Sequence, residues 1–184
     1  MIRYLITDPN YYGAEKNHFL KNLRSAIERH NPNFICFRDK ISTNFLELAE
    51  ATITLKKDYA GLIFLNGSIK TAKELGYDGV HLTSKMIKEA EEAHLLGLKT
   101  IASTHTHQEL SLASQLQISF MTYSPIFATP NKGAPKGVDT LRSVTYTYDN
   151  IIALGGVDNK EKIDAVMKAG ACGFASIRYF VNRD

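Results

Sequence analysis

A chain of 184 residues, 44% hydrophobic and 22% charged, has the length and apolar content of one packed domain spanning residues 1–184. Those proportions exclude a fibrous, disordered or disulfide-scaffolded chain. The net charge of +3 comes from 22 scattered Lys and Arg against 19 Asp and Glu, which argues against nucleic acid as a partner.

The first strand is expected over Arg3–Thr7, followed by a helix with Phe19, Leu20, Leu23, Ala26 and Ile27 on one face. Strand Phe34–Arg38 leads to a second helix presenting Phe45, Leu48, Ala49, Thr52 and Ile53. Strands at Leu62–Leu65, Gly79–Leu82, Thr100–Ser103 and Ile118–Tyr123 continue the alternation. Ile151–Leu154 and Gly173–Ser176 complete it, with a helix carrying Ile163, Val166 and Met167 between them. Gly76 and Gly170 stand just past the last apolar helix positions, where left-handed caps fall. Gly79 and Gly173 open the next strands, where a side chain would obstruct packing.

Short, nearly all-apolar strands separated by helices predict a parallel sheet buried on both faces. Eight such units predict an α/β fold, a small (β/α)8 TIM barrel. Ile177–Asp184 follows the last strand, so the last helix is expected to be short or missing. The apolar groove this leaves between the first and seventh helices is expected to be covered by that tail or by a second copy in a homo-oligomer. No apolar run approaches the roughly 18 residues of a membrane span, and Asp8 arrives too early for a signal-peptide core. A cytoplasmic location without a membrane partner is therefore expected, with Cys36 and Cys172 as buried free thiols.

Chemistry on such a barrel belongs at the carboxyl ends of the strands. The segment Ser124–Val138, SPIFATPNKGAPKGV, follows a strand directly and is too long for a simple connection, which marks it as functional. Ser103 and His105 alternate toward one side past the fifth strand, placing an imidazole for proton transfer over the barrel mouth. His81 lies inside a strand, either as a core residue or as a pocket wall; His18, His30 and His94 fall on helices in exposed polar positions. Arg38 and Lys40 share one side of a strand end, spaced to straddle a phosphate or carboxylate. Thr129 and Lys132 add a hydroxyl and a cation from the long loop, while Gly155, Gly156 and Ser176 offer phosphate contacts after the last two strands. The set describes a site for a phosphorylated small molecule. There is no Walker motif, Rossmann glycine fingerprint or thiolate cluster, and Asp8 and Asp39 are a poor basis for a magnesium site, so no metal is expected.

Tyr4–Asp8, Arg38-Asp39-Lys40, Asp78–Leu82, Ser103–Thr106, Ser124–Lys132, Leu154–Val157 and Ala169–Gly173 together resemble the thiamin phosphate synthase/TenI family, in order and over nearly the whole chain. The resemblance implies a TIM barrel holding a thiazole phosphate at its carboxyl-terminal face. One branch of that family, the synthase, joins hydroxymethylpyrimidine diphosphate to thiazole phosphate with Mg²⁺ and releases pyrophosphate. Against its pattern this chain has Cys36 for a Gln, Gly67 for one acid after Asn66, and Met86 for another. Arg178 stands where the family usually has a small Ser near the phosphate. The other branch, the TenI-type thiazole tautomerase, lacks the acids and moves a proton with the histidine that maps onto His105. The missing acids favour a metal-independent tautomerase, with the synthase as the alternative and a non-catalytic thiazole or thiamin phosphate binder as a third reading. Arg38, Lys40, Asn66, Ser103, Thr129, Lys132, Gly155, Gly156 and Ser176 are then the substrate contacts, and Mg²⁺ enters in the synthase case.

Overall fold

The computed structural model describes residues 1–130 and 132–181. Its eight strands form a closed, wholly parallel barrel in chain order. They are β1 Ile2–Ile6, β2 Phe34–Phe37, β3 Leu62–Asn66, β4 Gly79–Leu82, β5 Lys99–Thr104, β6 Phe120–Tyr123, β7 Ile151–Leu154 and β8 Gly173–Ser176. The ring shuts where Leu5 of β1 pairs with Ser176 of β8.

Alternation along each strand divides the apolar residues between two cores. Tyr4, Ile6, Phe34, Cys36, Phe64, Ile101, Ile152 and Ala175 pack inside the barrel. Leu5, Ile35, Phe37, Ile63, Leu65, Val80 and their neighbours face the helices. Phe34 plugs the interior, with its ring 5.4 Å from Phe64 and 5.3 Å from Phe120. Gly79 and Gly173 are required at strand entries: a Cβ would strike the backbone oxygen of Lys99 or of Ile2 in the neighbouring strand.

The helices are α1 Pro9–Tyr12, α2 Lys16–His30, α3 Phe45–Ile53, α4 Ile69–Leu75, α5 Ala90–Leu95, α6 His107–Gln115, α7 Gly137–Thr147, α8 Lys160–Lys168 and α9 Arg178–Val181. Helix α2 buries Phe19, Leu23 and Ala26, as its period requires. Gly76 closes α4 in the left-handed conformation.

Strand ends differ from the sequence reading at β1, which runs Ile2–Ile6, at β3, which extends to Asn66, at β5, which spans Lys99–Thr104, and at β2 and β6. β2 stops at Phe37 because the Arg38 N–H donates to the Thr7 hydroxyl (2.9 Å), ending the backbone ladder. β6 starts at Phe120 because Ile118 still bonds back to Ala113 at the end of α6 (3.1 Å). Cys36 is buried, whereas Cys172 is half-buried.

The short tail covers part of the groove beside α2. Phe180 is fully buried and stacks on Phe174 at 5.9 Å, with His30 set edge-on at 5.6 Å. His30 is thus half-buried in an aromatic cluster rather than exposed, because α9 returns the chain over α2. Residues 182–184 of the expected tail lie outside the described residues. Phe180→Ala should cost about 3–5 kcal/mol by removing this packing, read as a lowered midpoint in urea unfolding.

Candidate functional site

The carboxyl ends of the strands surround a cavity of about 460 Å³. Arg38, Lys40, Asn66, Ser103, His105, Thr129, Lys132 and Gly155 all line it, so eight of the ten site residues expected from the sequence are gathered in one place. Gly156 and Ser176 line a second cleft of about 280 Å³ that shares Thr129, Leu154, Gly155 and Ile177 with the first. The two are therefore adjoining compartments. The second is lined by a placement that sequence could not give: Arg178 pairs with Asp158 at 3.0 Å, and Asp158 also holds Lys162 at 2.7 Å.

The long loop is tied to β7 rather than left loose. Ile126 donates to the Leu154 carbonyl (3.0 Å) and Phe127 to that of Gly155 (2.9 Å). This approach explains both glycines. A Cβ on Gly155 would meet Pro125, one on Gly156 the Ala128 carbonyl oxygen, and both have positive φ, at 94° and 68°. The loop then turns through the Lys132-to-Thr129 backbone bond (3.2 Å), which brings Lys132 to the cavity.

Four cations line the cavity. Arg38 shares a half-buried ion pair with Asp8 at 3.0 Å, while Lys40, Lys132 and Lys85 also line the cavity. The field of Arg38, then partial burial and then Lys132, pulls the Lys40 ammonium below its ordinary range. Like charges held this close are what an anion site requires, since their repulsion is relieved when a multiply charged anion binds.

His105 has a fixed tautomer. Its Nδ1 lies 3.0 Å from the Ser124 carbonyl oxygen, which accepts the ring proton, so Nε2 carries the lone pair. The Glu109 carboxylate accepts the His105 backbone N–H at 2.6 Å, within the capping box that starts α6. The imidazole is thereby held at a helix entrance rather than on a free loop.

Sequence reasoning missed Ser124 and Lys85 and left His81 open between core and pocket. His81 is both. Its ring is buried between the Tyr4 hydroxyl (2.9 Å to Nδ1) and the Ser103 hydroxyl (2.9 Å to Nε2), and it lines the cavity floor. Asn66 braces the same floor by donating to the His81 carbonyl (3.2 Å). Burial, aided by Arg38, pushes the His81 pKa down to about 3. The unfolded chain therefore binds a proton at His81 near pH 6.5 that the folded chain refuses until about pH 3. Its contribution to stability is complete above pH 6.5 and is lost as pH falls toward 3, at up to about 1.4 kcal/mol per pH unit. The stability gap between the native chain and His81→Asn should accordingly narrow across that interval, measured by urea unfolding at each pH.

The family model described as thiamine monophosphate synthase matches residues 3–180. The chain belongs to that family. A thiamine-phosphate synthase of Vibrio parahaemolyticus is 29% identical, over 95% of this chain and 87% of the relative. One of Roseiflexus sp. is 27% identical, over 96% of this chain and 76% of the relative. Among solved structures, a thiamine phosphate pyrophosphorylase from Pyrococcus furiosus superimposes with a TM-score of 0.79 at 22% identity, over 96% of this chain and 85% of the other, which supports the fold.

Gly67 and Met86, at the positions where the resemblance implies the synthase's two acids, carry no carboxylate to offer a magnesium ion. Both nearby aspartates are engaged by the protein: Asp8 by Arg38 and Asn10, Asp39 by the backbone N–H groups of Ile41 and Ser42 at 2.9 Å.

Proposed function

We propose that the chain makes thiamin phosphate, joining a pyrimidine methyl diphosphate to a thiazole phosphate in the larger cavity. The observation that carries this reading is the gathering of Arg38, Lys40, Lys85 and Lys132 at one cavity, beside a separate glycine-walled cleft. Two compartments suit two anions: a diphosphate on the cations and a monophosphate against Gly155, Gly156 and Ser176. The synthase names of the relatives point the same way.

In the reaction the methylene C–O bond breaks and its electron pair leaves with pyrophosphate. The thiazole nitrogen lone pair forms the new C–N bond. The lysines and Arg38 stabilise charge growing on the leaving oxygen, a role whose strength rises as the ligand displaces water. Thr129 and Lys132 bring the loop over the ligand, and Ser103 and Asn66 form the floor.

The tautomerase remains a second reading because one observation favours it: Gly67 and Met86 supply no carboxylate for a metal. In that case His105 Nε2 carries the proton and Arg38 or Lys40 faces the substrate carboxylate. It ranks second because one carboxylate calls for one cation, and four meet here. The two are separated by supplying pyrimidine diphosphate and thiazole phosphate, with and without Mg²⁺, and in parallel the carboxylated thiazole tautomer. Formation of thiamin phosphate supports the synthase. Its absence, with tautomer conversion above the spontaneous rate, supports the tautomerase.

A further inference from the structure

Three strands meet at a buried polar chain inside the barrel. Tyr4 of β1 reaches His81 of β4, and His81 reaches Ser103 of β5, each link 2.9 Å long. The Tyr4 and His81 rings also lie nearly parallel, 22° apart. Both side chains are buried, while Ser103 opens on the cavity. At neutral pH the His81 ring holds one proton, since burial drives its pKa to about 3. It donates from one nitrogen and accepts at the other.

Two proton orders are conceivable, and they differ in what they leave buried. If Nδ1 carried the proton, Tyr4 would accept it and the phenol proton would depend on the weak sulfur acceptor of the neighbouring Cys36. If Nε2 carries it, the phenol donates to a strong imidazole lone pair and Nε2–H donates to the Ser103 oxygen. No strong buried donor is then left to sulfur, which decides the order.

We propose that Tyr4 and His81 are positioning residues whose ordered protons commit the Ser103 hydroxyl to donate into the cavity, selecting a ligand that presents an acceptor there. The inference deepens the thiamin phosphate reading by stating what the cavity floor demands of the thiazole or pyrimidine ring lying on it. It also makes a claim about the ligand-free chain that does not depend on that reading.

Nitrogen-15 spectra of the histidine-labelled, ligand-free chain at pH 7 test the proton order directly. The expected result is His81 protonated at Nε2 with a lone pair at Nδ1; protonation at Nδ1 overturns the proposal. Binding of thiazole phosphate and of the pyrimidine diphosphate, by calorimetry, tests the consequence. Ser103→Ala should weaken one of them about tenfold. His81→Leu should match that loss, and adding it to Ser103→Ala should cost little more. His81→Gln, which keeps an N–H donor toward Ser103, should restore most of the affinity. Unchanged binding in Ser103→Ala, or full additivity of the pair, overturns the proposal. A native chain that binds neither compound contradicts the thiamin phosphate reading instead, and the nitrogen spectrum then decides the relay by itself.

Discussion

Replacing Lys40 and Lys132 together with alanine is expected to lower kcat/KM for thiamin phosphate formation by about 10²–10⁴. Each charge-assisted contact to a phosphoryl oxygen is worth about 1.5–3 kcal/mol, and two lost together give about 3–6 kcal/mol of barrier. Both side chains are exposed, so the fold should survive the change. Their mutual repulsion makes removal neutral or favourable to the empty protein, while the bound anion loses both partners. Lys70→Ala, an exposed residue paired with Glu74 on α4, should leave the rate unchanged. Steady-state kinetics with both substrates at limiting concentration read the effect. A loss smaller than tenfold would mean that the diphosphate lies elsewhere.

His105→Ala separates the two chemistries by size of effect. Conversion of the carboxylated thiazole tautomer requires a proton to move at carbon, for which a positioned imidazole contributes about 10²–10⁴. The condensation balances without a proton passing through His105, so thiamin phosphate formation should fall by less than about tenfold. The Ser124 carbonyl oxygen, 3.0 Å from His105 Nδ1, holds the ring by that nitrogen and leaves Nε2 as the atom that can meet a substrate proton. Rates for both reactions, measured on the same preparation, check it. A thousandfold loss in thiamin phosphate formation would place the imidazole in the condensation and contradict the mechanism proposed above.

The barrel was legible in the chain because its rules are local. Each glycine pair, such as Gly76 with Gly79, marks a helix end and a strand entry, and strand alternation sorts side chains between interior and helix layer. Two of the site's cations were legible for the same reason, since Arg38 and Lys40 are two residues apart at a strand end. What escaped depends on residues far apart. Arg38 lies past its strand because a hydroxyl just beyond β1, on Thr7, takes the ladder position. His81 acquires its role from Tyr4, 77 residues away, and from Ser103, 22 away, and those neighbours follow from barrel closure rather than from spacing. The Arg178–Asp158 pair likewise joins β8's end to the segment after β7, a pairing that no local spacing announces. Ser124 was read as part of a loop; its carbonyl sets the tautomer of His105 because β5 and β6 run side by side.

Where pyrophosphate binds is the most direct test of the account. A crystal structure of the chain with pyrophosphate and thiazole phosphate should place the diphosphate within hydrogen-bond distance of Lys40 and Lys132, with the thiazole phosphate against Gly155 and Gly156. Pyrophosphate found in the glycine cleft, or bound nowhere near the lysines, would contradict it.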